Sequence, residues 1–397
     1  MANRSEPDRY AGRDIATGVA VELQIAGGEI VSVEPWETAG DYPWIAPGLV
    51  DLQVNGYMGF DLNDGAVTAE TVRGLAVSLL RTGVTTFLPT IVTASPEAIG
   101  SAMCAIVSAI ASDPLTASMI AGIHLEGPFI SPEDGARGAH PAAHVRSPDW
   151  GLFEHWQELA GGRIRMVTLS PEWPEALEFI ARCRATGVIP AIGHTAATPA
   201  QIQAAVASGA MLSTHLGNGA HAMLPRHPNY LWEQLAADGL WATAIADGFH
   251  LPDSFLKVLI GMKGDRAILV SDSVALAGMP PGEYANPIGG RVVLTPEGRL
   301  HLADDPRLLA GSALPLIAGV AHLAESGLTS LARAWTMGST APRALLGFPQ
   351  AGGLAAGEPA DIVLFQKTDH AITIENVIKG GQRLEAGTTG YLRGTAC

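Results

Sequence analysis

Positive charge is scarce in this chain. Its 24 lysines and arginines face 39 aspartates and glutamates, a formal charge of -15, and no cluster of Lys or Arg offsets the deficit. Nucleic acid and anionic membranes are therefore poor partners, and an anionic ligand needs a local Arg or His. Lysine is absent before Lys257. Cysteine is nearly so: Cys104, Cys183 and Cys397 show neither paired nor metal-ligand spacing. That usage fits free, packed thiols in a reducing compartment, the cytosol by default. No apolar run reaches the ~18 residues that suggest a membrane span, and the opening MANRSEPDRY lacks the apolar core of a secretion signal. Charged residues are only 16% of the chain against 47% hydrophobic, which excludes a disordered or fibrous protein and demands a large buried core.

What is present is a rhythm. A chain of 397 residues accommodates a barrel of ~250 residues plus an appended module. From about residue 14 to 46 the stretch VAVELQIAGGEIVSVEP alternates and turns at Gly27-Gly28, the pattern of a β-hairpin. Between roughly 47 and 350, short β-rich runs alternate with Ala/Leu-rich amphipathic stretches, the signature of repeated βα units. Eight such runs, from GLVDLQVNG to RAILVSDS, suffice to close a barrel. Past 350, GGLAAGEPADIVLF and ENVIKGGQRL return to short β segments able to pair with the N-terminal hairpin. The expected fold is α/β: a (β/α)8 TIM-like barrel over 48–350 and a small β-sandwich domain formed by both chain termini, 1–47 and 351–397.

Nearly every barrel run ends in polar side chains: Gln53 and Asn55, Thr90, His124 and Glu126, Glu172, His194, His215, Asp247 and His250, and Asp272. Active sites of such barrels lie at those C-terminal strand ends. Glu126, His194 and His215 offer one carboxylate and two imidazoles from three strands, a set able to hold Zn²⁺ or a similar ion with a position left for water. Any one of these histidines could instead be a hydrogen-bonded core residue; three converging strand ends argue for a site. Asp272, after the apolar AILV of the last run, is placed to take a proton from water and return it to a leaving amine. Its alternative role is to cap the following helix. Gln53 and Asn55 share one face of the first strand by alternation, and amides there are poor metal ligands.

In chain order, PGLVDLQVNGYMGFDLND, HLEGPF, GHTAAT, THLGN, ADGFH, LVSDSVALAG and LAGSALPL together resemble N-acetylglucosamine-6-phosphate deacetylases of the amidohydrolase superfamily. The motifs span about 47 to 320, and the tail GLAAGEPADIVLF is typical of the superfamily too. The resemblance implies hydrolysis of an N-acetyl amino-sugar phosphate to acetate and the free amine. It also implies Glu126, His194 and His215 as metal ligands and Asp272 as general acid/base. His140, in RGAH, would polarise the acetyl carbonyl, and Ala139, Asn218, Gly219, Arg226, His250, Ala310, Gly311 and Ser312 would contact substrate, Arg226 through the phosphate.

In this family the first-strand His pair of the wider superfamily is commonly Gln and Asn, as here, so Gln53 and Asn55 would shape the pocket or hold water. Binuclear relatives often bridge two metals with a carbamylated lysine on the fourth strand, and RIRMVTLSPE has none. One divalent ion is the expectation, zinc first, with iron, manganese or cobalt compatible. The resemblance further suggests a homodimer. After the sixth strand the family pattern THLxNAM…REPG departs to THLGNGAHAMLPRHPNYLWEQLAADG, with extra His221 and His227, which leaves the preferred sugar and the need for its phosphate open. Two other readings remain: the same fold acting on a cyclic amide, an N-acyl amino acid or a deaminase substrate, and a catalytically dead barrel used for binding or assembly.

Overall fold

The computed structural model describes residues 7–37, 40, 42–286, 290–349, 352–368 and 371–385. Eight parallel strands make the barrel: Leu49–Val54, Val84–Val92, Ile123–Glu126, Ile164–Leu169, Ile189–Ile192, Leu212–Ser213, Trp241–Ala244 and Ala267–Leu269. They lie side by side in chain order, and each falls in one of the eight runs marked by the sequence. Their residues are almost all buried because helices cover the outer face while side chains fill the inner one. The helices begin cleanly. Thr68, Ser95, Asp149, Thr198 and Asn229 each accept a first-turn backbone N–H on a side-chain oxygen, satisfying donors that a helix start leaves open.

Closure decides where the site lies. Past Leu269 the last strand continues as extended chain against the first: Asp272 N donates to Gln53 O at 3.0 Å, and Asn55 N to Ser273 O at 2.9 Å. Val54 and Ser273 form a parallel bridge, and Ser273 bridges in turn to Ser312. The seam thus brings the first-strand amides beside Asp272. Below, Val50, Leu52, Leu88, Met166, Leu212 and Ile268 fill the barrel together with Ala341, Leu345 and Leu346 of the helix Thr340–Leu346.

Both ends of the chain build one seven-stranded sheet, with strands from Asp8–Pro47 and Ile362–Glu385. The expected hairpin pairs Ala20–Ala26 with Glu29–Pro35 through Gly27 and Gly28, whose φ values are +62° and +86°. Alternation sorts its faces: Val363 and Phe365 join the barrel's outer core, whereas Ile362 and Leu364 meet Leu23, Ile25 and Ile30. Phe365 stacks on Trp335 at 4.7 Å, and Trp335 Nε1 donates to Pro47 O at 2.8 Å, fastening sheet to barrel. A three-stranded sheet spanning Gly282–Leu302 between the last barrel strand and the next helix was not foreseen. Cys183 is buried, Cys104 is exposed, and Cys397 lies outside the described residues.

Candidate active site

Four strand ends supply the chemistry. Glu126 ends the third strand; His194 and His215 each follow their strands by two residues, and Asp272 follows the last by three. Glu126 Oε1 lies 2.9 Å from His215 Nε2 and 3.3 Å from His194 Nε2. The same oxygen accepts from Gln53 Nε2 at 2.8 Å. His140, on the loop after the third strand, has Nε2 3.3 Å from His194 Nε2 and Nδ1 2.9 Å from Thr93 Oγ1. The donor atoms of Glu126, His140 and His194 all lie within 4.8 Å of one another. With His215 against the same carboxylate oxygen, the donor set has four members where the sequence singled out three.

The backbone is bent to present them. His194, His215 and Asp272 take φ values of +48°, +27° and +49°, and Met58 is the only other non-glycine residue with positive φ among those described. Such a conformation costs an L-residue of order 1–3 kcal/mol, and it persists where the surrounding structure enforces it. Glycines make room for the His194 ring: a Cβ at Gly219 would sit 2.6 Å from His194 Nδ1, and one at Gly138 would sit 3.1 Å from Cε1.

His194 Nδ1 donates to the Ala136 carbonyl at 3.1 Å, which turns Nε2 toward Glu126. A ring nitrogen 3.3 Å from a carboxylate oxygen is held there by positive charge, carried by a proton or by a metal ion. The donors therefore fit a cation. Burial alone would raise the Glu126 carboxyl, but hydrogen bonds from His194 and His215 overcome it and hold the group well below its ordinary value. Burial would lower His215; the bond to Glu126 outweighs it and raises the ring's pKa, a proton that a dication would replace. Burial, then the charge of His194, pushes His140 down to about 3, so that ring is neutral.

Across the seam, Asn55 Nδ2 donates to Asp272 Oδ1 at 2.7 Å. Gln53 and Asn55 thus hold the two site carboxylates by direct bonds, a more definite role than lining a pocket or holding water. Burial, reinforced by the charge of Glu126, pushes Asp272 up to about 6. Asp272 caps no helix: turns follow it, and no helix begins nearby.

Four buried polar atoms around this centre have no protein partner: His215 Nδ1, Asn55 Oδ1, Asn218 Nδ2 and Ser312 Oγ. Such atoms are few in folded proteins and gather where a ligand or water belongs. Asn218 N donates to His215 O at 2.9 Å, and Ser312 follows Ala310 and Gly311 in the segment that bridges Ser273. Asp247 orients His250, accepting from its Nδ1 at 2.7 Å and from its backbone N–H at 2.9 Å. Two expected contacts stand apart. Ala139 is exposed beside His140, and Arg226 is exposed on the 217–229 loop, outside the buried set.

Some strand-end polar residues serve structure instead. Thr90 Oγ1 accepts from Val54 N at 3.0 Å. Glu172 joins three segments, accepting from Ser131 Oγ, Ser170 Oγ and Ala196 N. His124 Nε2 bonds Thr168 Oγ1 at 2.7 Å, and Thr168 bonds Thr214 Oγ1 at 2.8 Å. Thr93, Gly138 and Asp247 act on site residues yet carried no role in the sequence reading; Asp247, within ADGFH, was the one with a visible signal.

A parallel eight-stranded barrel with a carboxylate and imidazoles converging at its strand ends, and a second carboxylate beside them, is the layout of a metal-dependent hydrolase. The chain belongs to the amidohydrolase family, whose model matches residues 44–384. It is 34% identical over 328 residues to an N-acetylglucosamine-6-phosphate deacetylase of Bacillus subtilis, covering 81% of this chain and 80% of that one. It is 31% identical over 353 residues to an N-acetylgalactosamine-6-phosphate deacetylase of Escherichia coli O157:H7, covering 88% and 91%. Among solved structures, the Mycobacterium smegmatis N-acetyl-D-glucosamine-6-phosphate deacetylase in complex with N-acetyl-D-glucosamine-6-phosphate superposes with a TM-score of 0.84. That pair is 27% identical, covering 96% of this chain and 99% of that one.

Proposed function

We propose that the protein removes the N-acetyl group of N-acetylglucosamine 6-phosphate, releasing glucosamine 6-phosphate and acetate in amino-sugar catabolism. The observation that carries this reading is the convergence of His194 and His215 on Glu126 Oε1, with Asp272 fixed alongside by Asn55. Glu126, His194 and His215 would hold one divalent ion, zinc first, with iron, manganese or cobalt compatible with the same donors. His215 is preferred to His140 as third ligand because it faces the carboxylate oxygen directly, whereas His140 reaches His194 and is held by Thr93. A bound ion polarises the acetamide carbonyl and lowers the pKa of a nearby water.

The chain's own groups do the rest. Ionised Asp272 takes a proton from the attacking water. The water oxygen bonds to the acetyl carbon, and His140, with Nδ1 accepting from Thr93, offers its Nε2–H to the carbonyl oxygen as charge develops there. The C–N bond then breaks, and Asp272 hands its proton to the departing amine. Asn218, Gly219, His250 and the Ala310–Ser312 segment bind the sugar, with Arg226 as the cationic group for its phosphate and His250 as a further hydrogen-bonding group there. Gln53 and Asn55 spend their amide N–H groups on carboxylates, and the fourth strand, Ile164–Leu169, carries no lysine, which favours one ion.

A second sugar has support of its own, since the E. coli relative is named for the galactosamine epimer at similar identity. Acetate release from both 6-phosphates and their unphosphorylated forms, on protein of known metal content, tests the reading. Turnover of neither phosphate would shift it to another amide. The reading also expects a cytosolic homodimer, which sedimentation tests; among the described residues no helix is long and apolar enough to cross a membrane.

A further inference from the structure

His221 stands outside the donor set, at the contact between two loops that serve the site. Its backbone N–H donates to Tyr230 Oη at 2.9 Å, and its Nδ1 lies 2.9 Å from the same hydroxyl. With Tyr230 accepting the first bond and donating the second, Nδ1 is the acceptor and Nε2 bears the hydrogen. Nε2 lies 3.2 Å from Glu133 Oε2, on the loop that follows the third strand. The loops also touch here, since a Cβ on Gly135 would lie 3.1 Å from His221 Cα.

Both partners lead inward. Glu133 O accepts from Arg137 N at 2.8 Å, and the Arg137 guanidinium donates to His140 O at 2.7 Å. On the other side, Asn218 and Gly219 precede His221 by three and two residues. Beyond His221 a cleft of about 310 Å3, bounded by Ala196, Pro199, Met223, Leu224, Pro225 and Pro228, separates the second loop from the loop after the fifth strand; Leu224 packs against the core, Asn229 Nδ2 donates to Pro225 O at 3.1 Å, and Met223 is 88% exposed. The His221 contacts tie this loop to the one that carries Glu133 and His140.

We propose that His221 is a positioning residue: by bonding Tyr230 and Glu133 it holds the Asn218–Gly219 segment against the His140 loop and so sets how tightly substrate is bound. The inference rests on the deacetylase reading for its kinetic part. In metal-loaded protein, His221→Ala raises KM about tenfold, the scale of one hydrogen bond to a charged group, with kcat and metal content little changed. Glu133→Ala does the same, and the double variant is no worse than either single one. Amide hydrogen exchange across 133–140 and 218–226, measured without substrate, quickens in His221→Ala. Unchanged exchange overturns the proposal, as does an unchanged KM or full additivity in the double variant. If wild-type protein turns over no N-acetyl sugar phosphate, the deacetylase reading falls, and exchange alone decides the role of His221.

Discussion

Asn55 Nδ2 donates to Asp272 Oδ1 at 2.7 Å across the seam where the first and last barrel strands meet. Closing the barrel and aiming the proposed base are thus one structural event. The amide also explains why asparagine suits this position: it donates an N–H to the Asp272 carboxylate, where a histidine would present a lone pair suited to a metal.

Asp272→Asn keeps the shape and the bond network but cannot take a proton. Steady-state kinetics should show kcat down by about 10²–10⁴, the usual worth of a general acid/base, with metal content unchanged by elemental analysis. The wild-type profile follows from the Asp272 carboxyl, pushed up to about 6 by burial and the charge of Glu126. The base works ionised, so kcat/KM rises with pH through its titration and then levels. A bound cation favours the ionised form, which sets the acid limb at or below that value.

Gln53→Leu removes the N–H that Glu126 Oε1 accepts while leaving the three proposed ligands in place. Losing a partner of this kind weakens metal binding by about 10–100-fold. Competition with a chelator measures it, and an unchanged affinity would mean that Gln53 does not orient the carboxylate.

Gly219→Ala drives a methyl against His194 Nδ1, whereas Gly347→Ala, also at positive φ, meets nothing within 4 Å. Both pay about 1–2 kcal/mol for left-handed backbone. Only Gly219→Ala should also lose metal affinity, by at least about tenfold on the scale of a disturbed ligand. Thermal melts with and without chelator separate the two effects.

Asp51 is fully buried on the first strand with Oδ2 unpartnered, and burial pushes its carboxyl up to about 7. Raised above its unfolded value, it stays protonated in the folded chain between about pH 4 and 7 while the unfolded chain releases its proton. Its contribution to stability is therefore greatest below pH 4 and is lost as pH rises to 7, a change on the order of 4 kcal/mol. Asp51→Asn should gain on wild type across that window and run parallel above it, as read from urea melts at stepped pH.

The barrel was legible because eight apolar runs, each ending in polar residues, can hardly be arranged otherwise. The placement of Glu126, His194, His215 and Asp272 at strand ends was legible from the same runs. The place of His140 was not readable from the residues alone, because a loop histidine has no periodicity and only the fold brings it to His194. Nor were the left-handed turns at His194, His215 and Asp272, which tertiary packing imposes at these positions. Thr90, His124 and Glu172 show the converse: a polar strand end can be a fastening between strands and loops. The sheet at Gly282–Leu302 was missed because its short strands interrupt the βα rhythm after the barrel is complete.

The central claim is that Glu126, His194 and His215 surround a single cation. Anomalous diffraction from crystals grown with zinc tests it most directly. The account predicts one strong peak, bonded to a Glu126 oxygen and to one nitrogen each of His194 and His215. Two comparable peaks, or a lone peak that leaves any of these three side chains unbound, would contradict it.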